Sequence, residues 1–454
     1  MSGATGDLEL LRARLRTMGY PLHAGARHGA PAFASPQHAV LVLGPPRSGK
    51  TTSLVVPNVL MAGGAVVSTS TKPDVLLATV EERAHVGQCW LFDPAGTVTP
   101  PAGVRRVRWS PIPACADWEN ALLTVRAMAG ARPHLSSLES AHWTERAEAL
   151  LAPLLHVAAL EQFGMLDVMR WIHRHDLNPA LAGLDRHGAV MPVDVLLGLA
   201  ATDRRELSGI WSTAAGVLAA YRSVSAVASS DAPNLDPAHL AANRDTVYIC
   251  SSARHQRQVA PLVVGFLEQV RAGAYAAAAA RPSLPGAAPI TLALDEIANT
   301  APLPDLPAMV SEGGSQGLSI LACLQDLSQA RTRWGEAADG FLSLFGTKII
   351  LPGIGDMRTL ELVSRLSGQT DTVVRSITRQ SGPSGPQASV TWSTRRQPRL
   401  PVDEVARIAP GSALLIDGPR RPEHIQLTPW WSTPPFCRCD PPGRLPSPDL
   451  QLER

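Results

Sequence analysis

Lysine is almost missing from this sequence. Of 41 basic residues only Lys50, Lys72 and Lys348 are lysines; the rest are arginines. A coding preference for arginine explains the scarcity but not where the three survivors stand. A compact ammonium fits among phosphate oxygens where a planar guanidinium fits poorly, so each lysine raises the question of a phosphate. Membrane spans are missing too. No apolar run approaches the ~20 residues that cross a bilayer, and nothing at the N-terminus resembles a signal peptide. The richest stretch, LLAPLLHVAAL from Leu150, is short and carries His156. These absences lead us to read the chain as cytoplasmic. The six cysteines are scattered, and only Cys437 and Cys439 stand close, in TPPFCRCDPP without histidines at zinc-finger spacing. That argues against a disulfide scaffold and gives little support to a metal site. The net charge of +2 excludes a polybasic coat, so any nucleic-acid contact must rest on local basic patches. There is no internal repeat.

The 454 residues, 45% of them apolar, suffice for several domains' worth of core. Residues 1–37 are rich in Gly, Ala and Arg, with one amphipathic patch, LELLRARLRTMG, expected as a surface helix. HAVLVLG (His38–Gly44) reads as a buried strand, and SGKTTSLVVPNVLMAGG as a helix ending near Gly63. A strand over Ala65–Thr71, a helix over Val75–His85 and a strand over Gln88–Pro94 follow. Strands alternating with helices predict a parallel sheet covered on both faces. From 113 to 240 the pattern is helical, as in Trp143, Ala147, Leu150, Leu151, Leu154, Leu155 and Ala158, and again in Leu207, Trp211, Ala214, Leu218 and Tyr221. Strands resume at Asp245–Ser252, Pro289–Glu296, Leu318–Gln325, Gly346–Gly353 and Ser412–Gly418. The expected organisation is therefore an α/β nucleotide-binding domain in two parts, 38–112 and 241–431, with an all-helical insertion over 113–240. Between Thr372 and Val402 lies an arginine-rich stretch, Arg375–Arg399, expected as a loop or hairpin with phosphate-contacting or merely solvated arginines. Residues 432–454 form a proline-rich tail without expected order.

Gly44–Thr51, GPPRSGKT, fits G-x-x-x-x-G-K-[ST] between a strand and a helix. Backbone N–H groups along Gly44, Pro45, Pro46, Arg47, Ser48, Gly49, Lys50, Thr51 and Thr52 would cradle phosphates, prolines excepted as donors. Lys50 would reach the β- and γ-phosphates, and Thr51 would ligate Mg²⁺. Asp295–Glu296 end an apolar strand. Asp295 would hold Mg²⁺ through water, and Glu296 would orient or deprotonate an attacking water, which favours hydrolysis. Gln325, at the end of the next strand, is placed to sense the γ-phosphate. A GTPase could use FDPAG (Phe92–Gly96), but no N-K-x-D motif is possible with the lysines where they are. An ABC-type signature, LSGQ at Leu366–Gln369, follows the carboxylates instead of preceding them. Both classes fall.

With these motifs in order, the chain resembles the coupling proteins of bacterial conjugation and type IV secretion, the TraG/TraD family of RecA-like, FtsK/HerA-type ATPases. The match runs from His38 to about Thr428 through the P-loop run into VVPNVL, TKPD, FDP followed by WSPIP, and HWTERAEALL. It is most specific in LDEIANTAPLPDLPAMVSEGGSQGLSILACLQDLSQARTRWG, and FGTKIILPGIGDMRTLELVSRLSG and VDEVARIAPGSALLIDG complete it. The resemblance implies a RecA-like P-loop domain, ATP and Mg²⁺ as cofactors, and a homo-hexameric ring. It further implies DNA as cargo, single-stranded and relaxase-bound, delivered to secretion-channel proteins. FDPAG becomes a structural strand end. Three departures stand out. The P-loop begins too early for preceding membrane helices, so the protein is expected to be soluble, to reach the inner face of the cell membrane through a membrane-anchored partner, or to be a truncated form. The Gly-rich turn Glu312–Gly317 lacks the family's arginine, leaving Arg331, Arg333, Arg358 and Arg365 as finger candidates. The second strand ends STSTK, keeping Lys72 as a nucleotide contact while the usual acid before it is lost. These departures leave an alternative, a nucleotide-dependent docking adaptor for relaxase or effector proteins that pumps no DNA.

Overall fold

Apolar residues in runs of four or five, too short for helices, build the centre of the molecule. A computed structural model describes residues 3–132, 138–280, 287–382 and 385–438. In chain order the strands are β1 (His23–Arg27), β2 (Ala30–Phe33), β3 (Val40–Leu43), β4 (Val66–Ser70), β5 (Cys89–Phe92), β6 (Arg105–Arg106), β7 (Thr246–Cys250), β8 (Ile290–Leu294), β9 (Leu318–Leu324), β10 (Thr347–Ile350), β11 (Gln369–Gly382), β12 (Gly385–Pro398), β13 (Ser412–Asp417) and β14 (Glu423–Gln426). Twelve of them form one sheet in the order β2-β1-β14-β13-β10-β3-β9-β8-β4-β7-β5-β6, while among the described residues β11 and β12 pair only with each other. From β10 to β6 all neighbours are parallel. From β10 outward to β2 they are antiparallel.

The sheet is buried on both faces, as parallel strands require. Along β3, Val40 and Val42 face one core and Leu41 and Leu43 the other. The first core takes the helices Gly3–Thr17, Val56–Met61 and Asp74–Ala84. The second takes the long Gln256–Ala280 helix and the helical insertion. Between Pro113 and Ala242 the described residues contain helices and turns but no strand. The Leu138–Leu160 helix is the hub there, packing against the helices Trp118–Gly130, Asn178–Arg186, Val190–Ala200 and Arg204–Val217. The insertion's two ends meet: Trp109 N–H donates to Ser229 O (2.7 Å) and Asn234 N–H to Arg108 O (3.0 Å).

Two expectations change at the termini. The ordered chain does not start near His38. Leu8 and Leu15 of the first helix are buried, Arg12 donates to Leu60 O (2.6 Å), and β1 and β2 extend the sheet's antiparallel edge. The tail is folded through Phe436, whose ring is buried and stands edge-on to His23. β1 pairs with β14, whose backbone would otherwise be an open edge, while the first helix and Phe436 fill the core on one face of the sheet. Cys439 and the remainder of the tail lie outside the described residues. The stretch around Arg375–Arg399 is a hairpin, 14 residues in each strand.

Candidate functional site: a phosphate-binding loop and its carboxylates

The carboxyl ends of the parallel strands lie along one edge of the sheet, where ligands bind in open α/β folds. β3 brings Gly44 to that edge, and Gly44 N–H donates to Leu324 O at the end of β9 (3.1 Å). A Cβ on Gly44 would stand 2.7 Å from both Leu351 Cβ and Ser48 Oγ, so glycine alone lets the loop close here. Arg47 (φ 65°) and Gly49 (φ 93°) adopt left-handed backbone. Left-handed residues alternating with right-handed ones build the concave N–H nests that bind anions. Ser48 Oγ donates back to Pro45 O (2.7 Å) and steadies the turn. The helix that follows opens with a wide π turn, Thr51–Val55, before Val56–Met61.

Lys50 is only 7% exposed, and its ammonium donates to Gly44 O and Pro45 O (2.8 Å to the latter). Thr51 Oγ1 donates to Asp295 Oδ2 at 2.6 Å, a contact between residues 244 positions apart. Thr69 of β4 donates its hydroxyl to Asp295 O (3.0 Å) and fixes the strand end from the other side. Burial pushes the Asp295 carboxyl above the ordinary range. The Thr51 hydrogen bond and the Lys50 charge oppose that shift, while Glu296 and Asp74 reinforce it. Glu296 is half-buried with φ 50° and ψ 48°. A left-handed glutamate stores backbone strain, a frequent mark of functional sites.

These groups suit a bound Mg²⁺-nucleotide. Mg²⁺ keeps most of its waters and takes one or two protein oxygens besides phosphate, and Thr51 Oγ1 and Asp295 offer such a pair. Among the described residues there is no cluster of three or more His, Cys, Asp or Glu that would hold a metal unaided.

Strand order sets β9 between β3 and β8, so Gln325 stands at the edge between the loop and Asp295. Its N–H donates to Gln329 Oε1 (3.0 Å), and among the described residues its half-buried side chain has no hydrogen-bond partner. Lys72, two residues beyond β4, is exposed and its ammonium forms no ion pair among the described residues. Lys348 is elsewhere: it lies within β10 opposite Leu41 and Ile416, only 6% exposed, and burial lowers its ammonium's pKa while Asp417 raises it. Asp93 of FDPAG accepts from Val98 N–H (2.6 Å), consistent with a structural strand end.

Sequence reasoning missed Asp74. It lies close enough to raise the Asp295 pKa and accepts from Ser70 Oγ (2.9 Å), supplying an acid two residues after Lys72 instead of before it. The signal was the final letter of TKPD. The finger candidates divide. Arg333 is buried and donates to Gly130 O, Arg132 O and Pro302 O, tying the helical insertion to the segment after Glu296. Arg331 pairs with Asp356 (2.9 Å) and Arg358 with Asp339. Arg365 is exposed and forms no ion pair among the described residues. The Gly-rich turn precedes β9, at the sheet edge opposite the loop, and a Cβ on Gly314 would meet Gln37 O at 2.4 Å.

The fold and the loop together define a RecA-like α/β fold of the P-loop type carrying an inserted helical unit. Within that class, residues 289–410 match the family described as the TraM recognition site of TraD and TraG. The conjugal transfer protein TraG of Escherichia coli is 26% identical over 405 residues, 83% of this chain and 62% of TraG. The chain thus spans about three-fifths of that relative's length. Among solved structures, the conjugative coupling protein TrwBdeltaN70, in a trigonal form with sulphate, superposes with a TM-score of 0.67 at 19% identity, covering 92% of each chain. The plasmid coupling protein TrwB in complex with ADP and Mg²⁺ gives 0.64 at 19% identity, again over 92% of each chain. The chain is similar to the conjugation coupling proteins, as its motifs had implied.

Proposed function

We propose that this protein is a Mg²⁺-dependent ATPase that moves DNA towards a secretion channel, as a coupling protein of conjugation. The observation that carries the reading is the Thr51–Asp295 hydrogen bond, which joins the phosphate-binding loop to the carboxylate strand end in one site. Loop N–H groups and Lys50 would take the β- and γ-phosphates, leaving the ammonium's present carbonyl partners. Thr51 and Asp295 would hold Mg²⁺, which supplies charge neutralisation on the phosphates when bound. Glu296 at the lip would orient a water and accept its proton, with Gln325 as the polar neighbour of the γ-phosphate. Lys72 and Asp74 border the same edge. TrwB has been solved with ADP and Mg²⁺ and with ATP and GTP analogues, which supports a nucleotide at the equivalent loop.

In this reading the chain works as a homo-hexamer, with relaxase-bound single-stranded DNA as cargo and segment 289–410 as a docking region for a partner protein. Among the described residues no helix is long and apolar enough to cross a membrane. In this reading a membrane-anchored partner holds the ring at the inner face. The test is ATP turnover with and without DNA. Lys50→Ala should abolish turnover, and single-stranded DNA should stimulate the wild type in a ring-sized particle. Normal turnover in Lys50→Ala would sink the site assignment. Hydrolysis indifferent to DNA, with no rings, would instead favour a docking adaptor.

A further inference from the structure

The β11–β12 hairpin stands apart from the rest of the fold. Its strands pair over their whole length, from Gln369 opposite Pro398 to Gly382 opposite Gly385, and join no other strand among the described residues. At ~3.3 Å per residue the ribbon is about 45 Å long. A two-stranded ribbon is marginal alone, so a long one with a bare face suggests something to hold.

The register separates its two faces. Val373, Arg375 and Ile377 lie opposite Thr394, Trp392 and Val390, so these six share one face. On it Trp392 is 64% exposed, Val373 62% and Ile377 49%. The Arg375 guanidinium sits 5.7 Å from the Trp392 ring centroid. The opposite face carries Thr372, Ser376, Thr378, Ser393 and Arg395.

Charge says what the bare face would meet. Residues 369–399 contain five arginines and one acid, Asp371. Removing these from 41 basic and 39 acidic residues leaves 36 and 38, so the remainder of the chain is slightly acidic. Arg375, Arg395 and Arg396 are exposed and form no ion pair among the described residues. An exposed indole beside a guanidinium offers a stacking platform for an unpaired base, and free arginines around it neutralise phosphates.

We infer that the Gln369–Pro398 ribbon is a single-stranded nucleic-acid arm, with the Trp392–Arg375 pair stacking a base, Arg396 engaging phosphate on the same face and Arg395 reaching the backbone from the ribbon's other face. The inference rests on the nucleic-acid half of the proposed function and gives it a site. The ribbon's base is tied to the body by Ser364 Oγ donating to Leu400 O (2.6 Å) and Arg399 N–H to Gly368 O (2.9 Å). The Met357–Leu366 helix leads from there to Thr359, whose hydroxyl accepts Leu327 N–H (3.0 Å) just past Gln325. One helix therefore links the arm to the nucleotide edge.

The test uses the full chain without nucleotide, so a failed ATPase assay leaves it readable. Anisotropy of a labelled oligothymidine of about 30 nucleotides, against a duplex of equal length, is followed between about 50 and 200 mM KCl. Trp392→Ala should weaken oligothymidine binding about tenfold without altering the salt slope, and Trp392→Phe should recover most of it. The triple variant Arg375→Gln, Arg395→Gln, Arg396→Gln should flatten the salt slope by about 2. Unchanged oligothymidine affinity in both variants would overturn the proposal. So would duplex binding as tight as oligothymidine and indifferent to Trp392. A Trp392→Ala change in particle mass with unchanged oligonucleotide affinity would likewise overturn it, marking a protein interface instead.

Discussion

His23 should make the antiparallel edge of the sheet sensitive to mild acid. It opens β1 and is 3% exposed. Its backbone is held by Asn58, which accepts from His23 N–H (2.8 Å) and donates to His23 O (3.0 Å). The ring stands edge-on to Phe33 and Phe436, with centroids 6.1 and 5.9 Å away, and Nδ1 has no hydrogen-bond partner among the described residues. Burial lowers its pKa from 6.5 to about 4. Between those values the unfolded chain binds a proton that the folded chain refuses. The stability is therefore intact above 6.5 and drains away as pH falls towards 4. From these two pKa values, acidifying from about pH 8 to about pH 5 costs ~2 kcal/mol, roughly a thirtyfold rise in local opening. Hydrogen exchange of peptides covering β1 and β2 reads that opening directly. The comparison is wild type against His23→Gln and His23→Phe at each pH, which cancels intrinsic exchange rates. Wild type should lose protection in acid and both variants should not. Equal losses in all three would refute the buried neutral imidazole as the cause.

Asp295→Asn keeps an acceptor for Thr51 and removes a charge that burial disfavours. The nucleotide-free protein should melt at a higher temperature while ATP turnover falls at least about a hundredfold; near-normal turnover would remove Asp295 from the site. Arg333→Met leaves the carbonyls of Gly130, Arg132 and Pro302 without their donor. Urea unfolding should show a loss of about 3 kcal/mol, with partial recovery in Arg333→Lys. A loss under about 1 kcal/mol would show that water replaces the guanidinium freely.

What could be read in the sequence followed from how local its cause was. β3, β5, β7, β8, β9 and β13 are mainly apolar, β4 (VVSTS) and β10 (TKII) carry paired Val or Ile, and each was visible as a short strand. HAGAR, APAF, EHIQ and the pair Arg105–Arg106 carry no such pattern. They are strands because a neighbouring edge pairs with them, a tertiary cause that local propensity does not report. The loop and Asp295–Glu296 were legible because strand ends and glycines mark them. Asp74's proximity and the three carbonyls that hold Arg333 depend on segments far apart in the chain, so no spacing rule could find them.

The meeting of the insertion's two ends bears on how the site comes into being. Thr51 and Asp295 are 244 residues apart, so at about 5–20 residues per second a growing chain waits some ~12 to 50 s between them. Over that interval the loop lacks its carboxylate partner and cannot hydrolyse as proposed. The helical unit can meanwhile pack on its own hub, and its closed ends at Arg108–Trp109 and Ser229–Asn234 shorten the span that the second half must bridge. The acids are still not the last part to arrive: β9 and β10, which flank β3, follow Asp295 in the chain, so the loop closes on Leu324 and Leu351 only after the carboxylates are made.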